Sequence, residues 1–208
     1  MPSNPISDIV CDSVSDFIES TIHTYLFQRG VYPRCAFTEF VLFGVHIQIC
    51  TNPEVKVYIN DCVESVRSRL RFLRELRILV CTLEKEPLES LVLRFDRISE
   101  EFVKRDTALS LLQEYFATAL LRLSLLECFH DPFDFETTWE LCTRFAPAET
   151  HPDNIGSVSW VPKDCIEHND AQKLTLVPVK SFYNDHIQLQ LFLEQRSRDS
   201  ATVGQRSH

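Results

Sequence analysis

Apolar residues recur at intervals of three and four from Val10 through Val14, Phe17, Ile18, Ile22 and Tyr25 to Leu26. That period predicts a helix with one apolar face. Asn4 followed by Pro5 supplies a cap and a first-turn proline, and Gly30 with Pro33 ends the run. From Phe37 to Cys50 the chain turns aromatic and β-branched around Gly44, which predicts a short hairpin. A second helix opens at Asn52-Pro53-Glu54, with the carboxylate in the first turn where the helix dipole favours it. Its buried side is Val55, Tyr58, Ile59, Cys62, Val63, Val66, Leu70 and Leu73. Lys56, Glu64, Arg67, Arg69 and Arg71 lie between them and read as a solvated face rather than a DNA-binding patch.

Beyond this point the period changes. Leu76 to Leu83 is a run of strand length, apolar except at Arg77 and Thr82, Glu84-Lys85-Glu86-Pro87 makes a turn, and Leu91, Leu93 and Phe95 then alternate with Val92, Arg94 and Asp96. A third helix, capped by Asp106 or Thr107, carries Leu109, Leu112, Phe116, Leu120 and Leu123 on one side. Leu111, Tyr115, Leu121 and Leu125 occupy its other sides. A helix apolar on most sides is either buried or keeps one face for a partner. Phe135, Trp139, Leu141 and Phe145 form one face of a further strand. A long connection from Ala146 to Asn169 follows, rich in proline and broken by Val158-Ser159-Trp160-Val161. The pattern leaves two readings of it open, a plain surface loop or a mobile functional arm. Two strands, Lys173 to Lys180 and His186 to Gln195, close the pattern.

In the last strand Ile187, Leu189, Leu191 and Leu193 share one face, and Gln188, Gln190, Phe192 and Glu194 share the other. Phe192 is thus a large aromatic on a polar face, with Leu176 within reach if the two strands pair. Such a residue is either covered by a loop or anchors a partner.

Composition narrows the function. The 208 residues suit one domain able to bury its own core. A formal net charge of −9, without a lysine- and arginine-rich stripe, argues that contact with nucleic acid runs through another protein. Met1 to Asp12 lacks the form of a signal peptide, and no apolar stretch reaches the ~20 residues of a membrane span, so the chain is expected to be soluble and intracellular. Its eight cysteines include no C-x-x-C pair and are expected to be small buried hydrophobes rather than disulfides. Cys128 with His130 is the nearest approach to a metal pair and lacks a second pair, so no metal or other cofactor is expected. Four scattered glycines cannot cradle a phosphate, and no nucleophile elbow or zinc-protease motif is present. His23, inside the first helix, reads as a packed or surface histidine. Asp131 and Asp134 beside His130 read as ordinary loop residues. The expectation is a protein that is not an enzyme.

Several blocks carry a resemblance. Phe17-Ile18-Glu19 with His23 and Val31-Tyr32-Pro33, Asn52-Pro53-Glu54 with Tyr58-Ile59, Leu176 to Lys180, and Gln190 to Arg196 are similar to the polymerase zeta accessory-subunit branch of the HORMA-domain family. The resemblance implies an α+β fold, three helices packed on a central antiparallel sheet. It also implies a core at residues 1–145, a C-terminal safety belt at 146–196 and a disordered tail at 197–208. In that family the belt closes over an extended peptide that joins the sheet as a strand. Tyr58 and Trp160 match the positions flanking a proline-containing peptide of the polymerase's catalytic subunit. Leu176, Gln190 and Phe192 match the surface that binds the C-terminal domain of the scaffolding translesion polymerase, with Phe192 where relatives often have tyrosine. Ala117 stands where relatives carry an arginine that supports dimers between HORMA domains, and Arg122 follows about one and a half turns on. The implied role is a nuclear adaptor, present also in the cytoplasm, acting in translesion synthesis, with an AAA+ ATPase as remodelling partner. A spindle-checkpoint protein that captures peptides of the anaphase-promoting complex activator is the alternative.

Overall fold

A computed structural model describes residues 8–98, 106–128, 130, 133–146, 160, 174–183 and 187–196. The expected cap at Asn4-Pro5, the loop carboxylate Asp131, most of the belt before residue 174 and the tail 197–208 lie outside them. Among the described residues there are three α-helices, α1 (Asp8–Gln28), α2 (Pro53–Arg67) and α3 (Asp106–Ser124). The strands are β1 (Phe37–Leu42), β2 (Val45–Cys50), β3 (Leu73–Cys81), β4 (Pro87–Ile98), β5 (Thr138–Phe145), β6 (Leu174–Tyr183) and β7 (Ile187–Arg196). No helix is long and apolar enough to cross a membrane. β1 and β2 form the hairpin expected around Gly44, turning through Phe43 and Gly44 at φ 50° and 76°. Positive φ at both turn positions matches the twist of the strands and explains the glycine.

The main sheet has the order β5-β3-β4-β7-β6, every pair antiparallel. Alternation sets its inner face: Leu76, Ile78 and Val80 on β3, Leu91, Leu93 and Phe95 on β4, and Leu189, Leu191 and Leu193 on β7. These side chains and the three helices share one core. The α+β expectation of three helices on an antiparallel sheet holds.

The centre of that core is α1, which α2, α3 and β2 all touch. Phe17 stacks on Phe116 of α3 at 4.1 Å and 8°. The periodicity identified only one apolar face, yet Ser13, Ser15, Ser20, Thr21, His23, Thr24, Gln28 and Arg29 are buried as well. Among them Ser20 bonds back to the helix, its hydroxyl donating to the Phe17 carbonyl at 3.3 Å.

Some boundaries differ from the pattern. The second helix stops at Arg67, where Asn52 caps its start by accepting from the Glu54 and Val55 amides at 2.9 and 3.4 Å. Leu70 lies in a 3-10 turn and Leu73 opens β3. Their burial is as expected but their backbone is not helical: Arg69 leaves the helix at φ −122°, and Leu73 pairs with Phe145 across the sheet. Phe135 precedes β5 rather than belonging to it, and is exposed. β6 runs on to Tyr183, past a bulge between Pro178 and Lys180. Of the described cysteines, Cys50, Cys62 and Cys81 are buried as expected, whereas Cys35 and Cys128 are exposed. Cys165 lies outside the described residues.

His23 is fully buried and ties α1 to β2, its Nδ1 accepting the Cys50 amide at 3.3 Å. Burial, helped by Lys56, lowers its pKa to about 4. The unfolded chain binds that proton near pH 6.5, so between these values the unfolded state holds more protons. Stability from this source is complete above about pH 6.5 and falls as the pH drops to about 4, by about 3 kcal/mol. Urea unfolding at pH 7.5 and 4.5 should show that loss in the wild type and a much flatter response in His23→Gln.

Candidate functional site

β5 is an edge strand. β3 pairs with one side of it, and among the described residues no strand pairs with the other. An unpaired edge presents backbone donors and acceptors that a further strand can satisfy. α2 runs alongside this edge. Near the start of β5 the Tyr58 ring meets Trp139 edge-on at 5.5 Å, and at its end Arg69 lies over Phe145 at 4.1 Å.

Between these contacts sits Trp160, the one described residue of segment 147–173. Its Nε1 donates to Ser65 Oγ of α2 at 3.0 Å, and the Ser65 hydroxyl in turn donates to the Cys62 carbonyl at 2.7 Å. Tyr58 and Ser65 are seven residues apart, about 10.5 Å along the helix. Tyr58 thus lies against β5 through Trp139, and Trp160 against α2 about two turns further along. The two residues singled out on resemblance are brought to one cleft.

The polar atoms of this cleft are largely engaged within the chain. Trp139 Nε1 donates to the Tyr32 hydroxyl at 2.9 Å. Burial, then the charge of Cys62 and a hydrogen bond to it, push Tyr58 up to about 12, so its phenol stays protonated. Burial likewise pushes Cys62 up to about 11. What the cleft offers is ring faces and the strand backbone, a surface suited to an extended, apolar or proline-bearing segment. Ser65, Trp139 and Tyr32 were not picked out as site residues. The only signal for Ser65 is a hydroxyl on the apolar side of α2, seven positions after Tyr58.

The expected second surface is assembled on the outer face of β6 and β7. Pro178 faces Phe192, Leu176 faces Glu194, and Ser181 faces Gln190 across the ladder. Leu176, 61% exposed, is thus the diagonal neighbour of Phe192 on one face. Phe192 is half-buried, with the Arg94 guanidinium over its ring at 5.0 Å. Gln190 Nε2 reaches Asp96 Oδ2 at 3.3 Å and the Tyr183 hydroxyl at 2.5 Å. Among the described residues a neighbouring arginine partly covers Phe192, and its apolar surface continues into Pro178 and Leu176.

Ala117 and Arg122 are not brought together. Five residues apart on α3, they point about 140° away from each other. Arg122 Nη1 donates to the Val179 carbonyl of β6 at 2.9 Å, which fastens the C-terminal hairpin to α3. Exposed Leu111 and Leu121 lie on α3 and exposed Leu125 follows its last residue, so this helix does keep an apolar surface open among the described residues. Among the described residues no group of three or more His, Cys, Asp or Glu side chains is placed to hold a metal ion.

Comparison with known proteins places this architecture. No family model matches the sequence. The rat protein "Mitotic spindle assembly checkpoint protein MAD2B" is 26% identical over 199 residues, spanning 93% of this chain and 94% of its own. The Arabidopsis thaliana "DNA polymerase zeta processivity subunit" is 23% identical, spanning 88% and 84%. A chain of the solved mitotic checkpoint complex superposes with a TM-score of 0.75 at 19% identity, covering 90% of this chain and 99% of that one. The C. elegans protein HTP-2 bound to a HIM-3 closure motif superposes at 0.64 and 12% identity, covering 90% of each. This chain has the HORMA-domain fold. In sequence it resembles the accessory subunit of polymerase zeta.

The Trp160–Ser65 bond ties the connection between β5 and β6 to α2. Ser65→Ala should weaken that tether by about 1 kcal/mol. In a Trp139→Phe background, which leaves Trp160 as the sole tryptophan, emission should shift to longer wavelength as the indole meets water. Unchanged emission would mean that other contacts hold Trp160.

Proposed function

We propose that this protein is a non-catalytic adaptor of translesion synthesis, the accessory subunit of a polymerase zeta. A proline-containing peptide of the catalytic subunit would add to β5 as a strand and be held there by the segment 146–196, with residues 1–145 as the platform. The observation that carries the reading is the unpaired edge of β5 bordered by Tyr58 and by Trp160 anchored on α2. The peptide backbone would satisfy the edge while the aromatic faces select its side chains. Relatives named for polymerase zeta and a neighbour bound to a closure motif support the same reading.

The outer face of Leu176, Gln190 and Phe192 would dock the C-terminal domain of the scaffolding translesion polymerase. Its mixture of an exposed aliphatic, a half-covered ring and an amide fits an interface with an apolar centre and a polar rim. Both partners are proteins, so the acidic chain needs no direct grip on DNA. The nucleus is where such a complex would work, and an AAA+ ATPase is the expected agent of peptide release.

Fluorescence polarisation with a labelled peptide from the proline-containing segment of the catalytic subunit tests the first contact. Wild-type protein should bind it, and Tyr58→Ala and Trp160→Ala should each weaken binding about thirtyfold, the scale of aromatic anchors. Failure of the folded wild type to bind this peptide, together with capture of the anaphase-promoting complex activator's peptide, would replace this reading with the checkpoint one. For the second contact, Phe192→Ala should abolish pull-down of the scaffolding polymerase's C-terminal domain and leave peptide affinity unchanged.

A further inference from the structure

The last two described positions of β7 before its end, Glu194 and Gln195, point to opposite faces of the sheet, and each meets a charged group there. On the inner side, Gln195 Nε2 donates to Glu89 Oε2 at 2.7 Å and lies 3.2 Å from His130 Nδ1. Glu89 belongs to β4 and is only 4% exposed. Its other carboxylate oxygen accepts from the Tyr25 hydroxyl at 2.7 Å and lies 2.8 Å from Arg29 Nε. Arg29 is equally buried, donates from Nη1 to the His130 carbonyl at 3.2 Å, and lies over the Phe133 ring at 4.5 Å. The end of α1, the start of β4 and the segment after α3 thus form a buried polar socket, and the β7 amide plugs it.

On the outer side, Glu194 is 8% exposed and paired with Arg77 of β3, whose Nη1 donates to Oε2 and whose Nη2 donates to Oε1 at 3.4 Å. Arg77 also reaches Glu75 at 3.1 Å, and Glu75 holds Arg94 and Arg144. These cations hold the Glu75 carboxyl below its ordinary range against the opposing effect of burial. The outer partner of β7 is therefore itself fixed in a network that spans three other strands.

No described element follows β7, so peeling of the C-terminal hairpin from β4 would start at this end. Strands open from their ends, and the lowest-energy openings are local rather than global. At this end the apolar ladder of Leu189, Leu191 and Leu193 has stopped, and the two polar contacts replace it.

We propose that Glu194 and Gln195 act as a two-sided pin that holds the C-terminal hairpin on the sheet, and that the pin sets how long a trapped peptide stays bound. The second half rests on the peptide-capture reading above; the first half does not. Both residues are positioning residues, since neither borders the β5 cleft. Opening the hairpin breaks hydrogen bonds to charged groups, each costing more than a bond between neutral partners.

Two measurements on the full chain test this. Native-state hydrogen exchange on the free protein should show the Leu189, Leu191 and Leu193 amides exchanging about tenfold faster in Gln195→Ala, with Leu76 and Ile78 of β3 unchanged. Glu194→Ala/Gln195→Ala should reach about a hundredfold. Gln188→Ala, at the other end of β7, should leave both sets at wild-type rates. The labelled catalytic-subunit peptide should leave Gln195→Ala faster by the same factor as the exchange, with its association rate preserved. Equal acceleration in β3 and β7, or none in either, overturns the pin. Faster exchange with unchanged peptide release overturns its control of dwell time. If the wild type binds no such peptide, the capture reading fails and the exchange experiment alone decides the pin.

Discussion

The pairing of β7 with β4 is the constraint on which the rest of the molecule depends. It runs from Glu89 opposite Gln195 to Ile98 opposite Ile187, and places the C-terminal hairpin on one side of the sheet. β5 is left as the far edge, with nothing described beyond it. The chain departs from β5 at one edge and resumes in β6 at the other, so whatever joins them has to travel round or across the sheet. Trp160 marks one point on that path, against α2. The long connection from β5 to β6 and a β5 edge left unpaired among the described residues are two consequences of a single strand register. A hairpin paired with β5 instead would occupy that edge.

α2 links the strap to the cleft. Tyr58, Cys62 and Ser65 follow one another at spacings of four and three, which keeps them along one side of the helix, and Arg69 lies just beyond its end. Each has a distinct contact there: Tyr58 with Trp139 and Cys62, Ser65 with Trp160, and Arg69 with Phe145. Because hydroxyl, thiol and indole N–H are satisfied within the chain, the cleft presents apolar rings and a strand backbone.

Rigidity is graded across the fold. α1 is enclosed on nearly all sides and carries buried hydroxyls and a neutral histidine into the centre of the core. β3 and β4 are flanked on both sides by strands. The hairpin of β6 and β7 has only β4 as a neighbour in the sheet, supplemented by Arg122, Tyr115 and the contacts at Glu194 and Gln195. Pro178 and the bulge beside it sit on β6, the outermost strand, where a missing donor disturbs no interior ladder.

The sequence by itself determined the elements whose periodicity is local. The α1 stripe, the Asn52 cap, the Gly44 hairpin and the alternation that isolates Phe192 on a polar face all follow from backbone geometry acting over a few residues. Tyr58 and Trp160 came from resemblance, since nothing in their spacing distinguishes a cleft aromatic from a core one. The pattern continued α2 through Leu70 and Leu73 because burial looks alike in a helix and in a central strand. Only pairing of Leu73 with β5 decides between them. Tertiary structure alone brought Ser65 under Trp160, closed the Tyr25–Arg29–Glu89–Gln195 socket, and chose which sheet edge stays open. Those are contacts between residues far apart in the chain, and a polar side chain carries no local mark of the distant partner that will satisfy it.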